Sequence, residues 1–159
     1  MTVPIQASTS QSPPSLRQPT GPVGSRILSF GSARGDLVVP NDDLVGPIDS
    51  SDEWIRQRTG IETRTRASAG ILALDLATDA SREAIAASGI DPSQIDLVIA
   101  ATISNVQTTP SLSAVLADRV GANPAAAYDS NAACAGFSYA LAQADALIRA
   151  GSAHYALVG

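Results

Sequence analysis

The apolar segment at residues 95–102 constrains the fold more than any other feature of this chain. It predicts a continuous strand of the buried type that is found in parallel sheets. Segments with helical patterns lie on either side of it: residues 71–88, ended by Gly89, and residues 111–120, ended by Gly121. Strands that alternate with helices favour a layered α/β fold.

The other predicted elements continue this alternation. Ser50 and Glu53 have the spacing of a capping box, so Ser50 is the expected N-cap of a helix that Gly60 ends. The helix after Cys134 runs to about residue 150 and is small or apolar nearly all round, which predicts the central buried helix. Strands are predicted at residues 26–31, 61–66, 125–130 and 153–158, and a short helical piece at residues 41–45. The helix at residues 71–88 has a predicted packing stripe of Ala73, Leu76, Ala77, Ala80, Ala84 and Ala87.

Composition excludes several classes of function. The net charge is −5 and the pI is near 4.6, so nucleic acid and anionic membranes are not expected partners. All ten basic residues are arginine, which excludes Schiff-base or P-loop lysine chemistry within this chain. No segment has the pattern of a signal peptide or the length of a membrane span, and one cysteine leaves no internal disulfide. We expect a cytoplasmic protein with a disordered Pro/Ser-rich extension at residues 1–24 and a folded domain at residues 25–159.

Cys134 is the only cysteine, and it lies between a predicted strand and an alanine-rich helix. A thiol in the first turn of a helix is close to the positive end of the helix dipole, which favours the reactive thiolate. Free N–H groups there can also stabilise an oxyanion that forms on a thioester carbonyl. The alternative is a buried structural cysteine. The placement alone leaves both interpretations open.

Three blocks of sequence, in order and in register, resemble one family. The first is SDEWI at residues 51–55 with RTGI at 58–61, the second is AT at 101–102 with TPS at 109–111, and the third is AACAGF at 132–137 with YAL at 139–141. Together they resemble β-ketoacyl-ACP synthase III, of the thiolase superfamily. The resemblance covers residues 25–159 and corresponds to the N-terminal half of such an enzyme. It implies a layered αβαβα fold in the intact enzyme, of which this chain forms one αβα half.

The resemblance implies a decarboxylative Claisen condensation that initiates type II fatty acid biosynthesis. An acyl-CoA primer acylates the nucleophile, Cys134; malonyl carried by acyl carrier protein then loses CO₂ and attacks the thioester to give a 3-oxoacyl-ACP. The backbone N–H of Cys134 is one implied oxyanion donor. The family implies a homodimer with coenzyme A thioesters as substrates, so no metal or further cofactor is expected.

Further site residues are implied by their positions. Trp54 and Arg58 match residues that hold CoA at the tunnel mouth, the indole on adenine and the guanidinium on phosphate, and one helical turn separates them. Ser50 falls where a hydroxyl can touch the adenine. Thr109 matches a residue that closes the acyl pocket of the dimer partner, where threonine leaves room for a primer longer than acetyl or a branched one. From the residues alone, other interpretations stay open: Trp54 can be a partly buried surface anchor and Arg58 a solvated charge. Thr109 can be a helix-entry residue with no role in primer selection.

The family's catalytic histidine and asparagine are expected in the C-terminal half, which this chain does not contain. His154, in the predicted strand after the Cys134 helix, is expected to be structural, and Asn131 to be a turn residue. The chain alone is therefore expected to be inactive in condensation. Two other functions stay open: a related acyl-cysteine synthase that primes polyketide or secondary-metabolite synthesis, and a non-catalytic half-domain.

Overall fold

The computed structural model describes residues 21–44, 49–123 and 125–159. The strands in these ranges are β1 (Leu37–Pro40), β2 (Thr63–Arg66), β3 (Leu97–Ala100), β4 (Ala126–Asp129) and β5 (Ala156–Val158). The α-helices are α1 (Asp52–Thr59), α2 (Ala73–Ser88), α3 (Leu112–Val120) and α4 (Gly136–Arg149). Short 3-10 turns are at Asn41–Leu44, Pro92–Gln94 and Ala133–Ala135.

A parallel sheet in the order β4–β3–β5 forms the centre of the fold. β3 pairs on both sides, with Leu97 opposite Ala126 of β4 and Ala156 of β5. The carboxyl ends of β3 and β4 therefore lie at the same edge of the sheet. The loop that leads to α3 and the turn that leads to α4 both start there.

The four residues of β3 divide between two hydrophobic cores. Val98 and Ala100 contact the core formed with α2 and α3, whereas Leu97 and Ile99 contact the core formed with α4. Successive side chains of a strand point to opposite faces, so a strand that is apolar at every position needs a cover on each face. The resulting three layers confirm the predicted αβα arrangement.

α4 buries one stripe and not its whole circumference. Its buried residues, Gly136, Ala140 and Ala144, recur every four positions and so share one face. Phe137 and Tyr139, which flank this stripe on either side, are about half exposed. The prediction of a central, fully buried helix is therefore wrong for the described structure, because the sheet covers only one side of α4.

The predicted alanine stripe of α2 is also not its main packing face. The residues of α2 that are buried are Thr78, Ser81 and Ile85. Four residues of the predicted stripe, Leu76, Ala77, Ala80 and Ala84, line a cavity of about 510 Å³. Residues of the segment 25–33, of α4 and of the segment 154–159 line the same cavity. Most of the stripe therefore lines this cavity instead of packing closely on the sheet.

Residues 26–31 do not form the predicted first strand, since no described strand pairs with them. They are held to α2 instead: the Ser29 hydroxyl donates to the Ala84 carbonyl oxygen at 2.7 Å. Gly31 permits this approach, because a Cβ there would overlap the backbone of Ala80 and Ala84. The segment has the residue pattern of a strand, but no described strand lies beside it to form the hydrogen bonds of a sheet.

β1 was not predicted, and it pairs with β2 in a separate antiparallel sheet with Leu37 opposite Arg66. Its side chains give no alternating signal, since Leu37 and Val38 are both exposed. β2 lies within the predicted range. Of the predicted disordered extension, residues 1–20 lie outside the described residues, and residues 21–24 are irregular.

A substitution of Leu116 tests the packing of α3 against the sheet. Leu116 is 1% exposed, and Leu72, before α2, is 58% exposed. Leu116→Ala is expected to lower the free energy of unfolding by about 2–5 kcal/mol, because a buried leucine leaves a cavity. Leu72→Ala, the matched control, is expected to cost less than about 1 kcal/mol. Urea unfolding followed by far-UV circular dichroism checks both; equal losses would contradict the packing of α3.

Candidate active site

Cys134 lies in the 3-10 turn Ala133–Ala135 and its side chain is exposed. α4 begins two residues later, so the thiol precedes the α-helix instead of lying within its first turn. The first N–H groups of a helical segment have no partner inside it. The thiol is accessible from solvent, and the interpretation of Cys134 as a buried structural residue is wrong for this structure.

The start of α4 carries no side-chain cap. Its N-cap residue is Ala135, which has no acceptor atom and makes no capping hydrogen bond. α1 and α3, by contrast, are capped by the hydroxyls of Ser51 and Ser111. The backbone N–H groups of Ala135 and Gly136 donate to the carbonyl oxygens of Ala132 and Ala133, within the turn that carries Cys134. No side chain caps the start of α4, so the positive end of its dipole is uncovered next to the thiol.

Two backbone features shape the turn that carries Cys134. Ala133 has φ of 45°, in the left-handed region that L-residues other than glycine rarely adopt. Such a conformation costs about 1–2 kcal/mol, and strain of this kind is concentrated at functional sites. Gly136 lets α4 start directly on the sheet, since a Cβ there would lie 3.1 Å from the Cβ of Ala101. Together they turn the chain sharply from β4 into α4.

Asp129, the last residue of β4, joins this turn to α3. Its carboxylate accepts the backbone N–H of Leu112 at 2.9 Å and that of Ser113 at 2.8 Å. Burial raises the pKa of the Asp129 carboxyl, but the hydrogen bonds from Ser113 and Leu112 outweigh it and hold that pKa below its usual range. The ionised carboxylate satisfies the start of α3 and is complementary to its dipole.

Thr109 lies in the exposed loop between β3 and α3, before a cis bond to Pro110. This loop starts at the same edge of the sheet as the Cys134 turn, and Asp129 ties the two together through the start of α3. Ile103 and Val106 of the loop are 66% and 92% exposed. The structure thus brings Thr109 and Cys134 to one edge of the sheet and leaves apolar side chains beside them.

Trp54 and Arg58 lie together on α1, as their spacing predicts. The Arg58 guanidinium is 4.6 Å from the centre of the Trp54 ring, a cation–π contact. Trp54 is 51% exposed, and Ile55 is the residue that α1 buries. The pair forms an exposed aromatic and cationic surface. No hydrogen bond or ion pair within the described ranges joins it to the Cys134 turn.

Ser51, not Ser50, is the N-cap of α1. The Ser51 hydroxyl accepts the backbone N–H of Trp54 at 3.1 Å, so the predicted capping box was placed one residue too early. Glu53 accepts instead from the side chain of Gln57. The hydroxyl of Ser50 is covered and has no partner among the described residues. Its contact with adenine stays a prediction.

His154 lies just before β5, at the amino end of the parallel strands, whereas Cys134 follows the carboxyl end of β4. Its backbone N–H donates to the Asp96 carboxylate at 2.7 Å, and its side chain is exposed. Asn131 lies in the irregular connection after β4, as predicted. Among the residues that the structure describes, no group of three or more His, Cys, Asp or Glu side chains gathers in a metal-like arrangement. Nor does any described helix have the length and hydropathy to cross a bilayer.

Comparison with known proteins points to one family. The family described as 3-oxoacyl-[acyl-carrier-protein (ACP)] synthase III matches residues 128–158, from β4 to β5. The β-ketoacyl-[acyl-carrier-protein] synthase III of Kocuria rhizophila is 52% identical over 134 residues, 84% of this chain and 38% of that protein. The protein of the same name from Tropheryma whipplei is 51% identical over 134 residues, 84% of this chain and 42% of its own length.

The chain belongs to the β-ketoacyl-ACP synthase III family.

Solved structures agree on the thiolase-like fold. The priming β-ketosynthase of the R1128 polyketide pathway superposes with a TM-score of 0.80 and 39% identity, over 88% of this chain and 42% of that one. The 3-oxoacyl-[acyl-carrier-protein] synthase III of Aquifex aeolicus gives a TM-score of 0.77 and 37% identity, over 83% and 42%. The chain therefore spans about two fifths of the length of the synthase III relatives that it matches.

Sequence reasoning missed Asp129 and Ala133 as parts of the candidate site. Asp129 stands at the end of a predicted strand, and an acidic residue there is a recognisable partner for a neighbouring helix start. Nothing in the sequence signals the positive φ of Ala133, since alanine does not favour it. That feature follows only from the tertiary fit of β4 and α4.

Asp129→Asn is expected to lower the free energy of unfolding by about 1 kcal/mol near neutral pH, because the amide loses the charge that the start of α3 binds. The folded-state pKa lies below the unfolded value of about 3.9. The stabilisation is therefore present above that pH and is lost as the pH falls through the folded pKa. Urea titrations from neutral pH to strong acid check this, with Asp118→Asn on the exposed side of α3 as control. A difference between wild type and Asp129→Asn that stays constant with pH would contradict it.

Proposed function

We propose that this chain supplies the nucleophile and part of the CoA site of a 3-oxoacyl-ACP synthase III. The single observation that carries the proposal is the exposed Cys134 at the uncapped start of α4, within the segment that matches the family. The Cys134 thiolate attacks the thioester carbonyl of an acyl-CoA primer. A new C–S bond forms on Sγ as the bond to CoA breaks, and CoA leaves as a thiolate.

The second half-reaction uses the same sulfur as leaving group. Malonyl carried by acyl carrier protein loses CO₂, and its carbanion attacks the acyl-Cys134 carbonyl. A C–C bond forms, the Cys134 thiolate departs, and 3-oxoacyl-ACP is released. The N–H of Cys134 is one oxyanion donor for both tetrahedral intermediates, and the acyl transfer itself uses no cofactor beyond the CoA thioester.

Several parts of the proposal concern the whole enzyme. Polypeptide outside this chain supplies the catalytic histidine and asparagine, since His154 lies at the other end of the strands. The enzyme is a homodimer, supported by the exposed Ile103 and Val106 beside Thr109. It works in the cytoplasm, which a single unpaired cysteine suits.

Intact-mass spectrometry tests the acylation. Incubation of the chain with hexanoyl-CoA is expected to add one hexanoyl group, and Cys134→Ala is expected to abolish the adduct because the chain has one cysteine. Ser138→Ala, in the exposed first turn of α4, is the control and keeps the adduct. No adduct on the wild type, or an equal adduct on Cys134→Ala, would favour a non-catalytic half-domain.

The second candidate is a polyketide-priming synthase, favoured by the likeness to the R1128 priming ketosynthase. Both functions use an acyl-cysteine, and Thr109 sets the length of primer in either. A small side chain at this position of the loop leaves room that an aromatic ring would fill. We therefore propose a primer longer than acetyl, or a branched one.

A chimera of residues 25–159 with the C-terminal part of the Kocuria relative tests the primer. The chimera is expected to prefer hexanoyl-CoA to acetyl-CoA in kcat/KM. Thr109→Phe is expected to lower kcat/KM for hexanoyl-CoA about tenfold and to affect acetyl-CoA little, because the ring excludes the longer chain. Thr108→Phe, next to it in the same exposed loop, is the matched control. A strong preference of the unmodified chimera for acetyl-CoA would overturn the proposal for Thr109.

A further inference from the structure

Asn41 is the most completely buried polar side chain near α1. It follows β1 as the first residue of a 3-10 turn and is 1% exposed. A buried amide is costly unless its donors and acceptor are all paired. Here each is paired: Nδ2 donates to Asp52 Oδ1 at 2.7 Å and to the Ile61 carbonyl oxygen at 2.8 Å, and Oδ1 accepts from the guanidinium of Arg64.

These partners lie at both ends of α1. Asp52 is the first residue of the helix, and Ile61 comes two residues after the last. Arg64 belongs to β2, so the same amide also fixes the helix to the β1–β2 sheet. We call Asn41, Asp52, Ile61 and Arg64 the Asn41 network.

Apart from the Asn41 network, α1 makes few buried contacts with the rest of the described structure. Of its eight residues one, Ile55, is buried. A helix of two turns is not stable alone and depends on tertiary contacts for its position. The hydrogen bonds from Arg56 and, next in size, from Asn41 hold the pKa of the Asp52 carboxyl below its usual range, so Asp52 is ionised near neutral pH. A hydrogen bond to a charged group stabilises more than a hydrogen bond between neutral groups, so the bond from Asn41 to Asp52 is a strong one.

The network leaves the ligand-facing side chains free. Trp54 and Arg58 make none of its hydrogen bonds and contact each other on the exposed side of the helix. Arg56 instead pairs with Asp52 at 2.7 Å and with Glu62 at 2.6 Å, beside the network. One side of α1 is thus used for anchoring and the other presents an aromatic and a cationic group.

We propose that Asn41 is a positioning residue for the CoA subsite: it fixes α1 so that Trp54 and Arg58 present one preformed surface to the adenine and phosphate of coenzyme A. This inference rests on the proposed function. Asn41 itself does not touch the ligand. Its effect is on how tightly coenzyme A binds and on how rigidly Trp54 is held.

The only tryptophan of the chain makes the test local, since all tryptophan fluorescence comes from Trp54. The 159-residue chain is titrated with coenzyme A while Trp54 emission is followed. Asn41→Ala is expected to weaken coenzyme A binding about tenfold or more, because three hydrogen bonds are lost. Trp54 anisotropy is expected to fall and acrylamide quenching to rise, while the far-UV circular dichroism of the whole chain stays close to that of the wild type. Asn123→Ala, at an exposed asparagine between α3 and β4, is the matched control.

A charge exchange gives a second, independent variant. Asn41→Asp places a carboxylate against Asp52 and the Ile61 carbonyl, so it is expected to weaken binding as Asn41→Ala does. Adding Asp52→Asn restores one donor between the two positions and is expected to recover part of the affinity and of the Trp54 anisotropy. A purely steric role for Asn41 predicts no recovery.

The outcomes separate the two proposals. The role of Asn41 would be overturned if Asn41→Ala had the same coenzyme A affinity and the same Trp54 anisotropy as Asn123→Ala. A collapse of the circular dichroism spectrum in both Asn41 variants would also overturn it, because the residue would then support the whole fold and not α1. If the wild-type chain fails to bind coenzyme A, the proposed CoA site is wrong, and the anisotropy and quenching of Trp54 still decide whether Asn41 holds α1.

Discussion

The described fold depends on β3 having a partner on each edge and a cover on each face. Its two central residues, Val98 and Ile99, have no exposed surface and point into different cores. Burial of both faces contributes the largest favourable term to folding, and pairing on both edges satisfies the backbone groups that burial removes from water. The strand thereby fixes the edge at which its own following loop and the turn after β4 begin. The position of Cys134 follows from this arrangement.

The described helices begin in different ways, and α2 and α4 both lack a hydrogen bond from an N-cap side chain. α3 begins against the Asp129 carboxylate, and α1 begins at the Ser51 hydroxyl, so their first N–H groups have partners. α4 begins after three small residues whose side chains cap none of its N–H groups, although the Ala133 carbonyl oxygen accepts the Gly136 N–H. An uncapped helix start is less stable by about 1 kcal/mol. Without a side-chain cap, the positive end of the α4 dipole is left uncovered next to Cys134.

Local sequence patterns predicted those features that depend on the residue and its neighbours in the chain. They failed where a segment distant in the chain determines whether a strand forms. Gly60, Gly89 and Gly121 end helices as predicted, each with positive φ, because that conformation is a property of the residue itself. Residues 26–31 have the composition of a strand but no neighbour, and Leu37–Pro40 lack an alternating pattern yet pair with β2. For the candidate site, the sequence was sufficient to predict that Trp54 and Arg58 lie together on α1 and that Cys134 lies between β4 and α4, while their roles stay predictions. It was not sufficient for the connections that hold them, because Asn41 and Asp129 act across the fold.

The contact between Arg58 and Trp54 bears on how a nucleotide would bind. A cation–π contact at an exposed site is worth about 0.5–1 kcal/mol, and Trp54 is half exposed. Stacking of a base on an aromatic side chain is worth about 1–3 kcal/mol. If adenine stacks on Trp54 as proposed, it can displace the guanidinium from the indole face and still gain free energy. In the absence of ligand the same contact keeps both side chains on one side of α1, so the groups that would bind the nucleotide are already gathered on one surface.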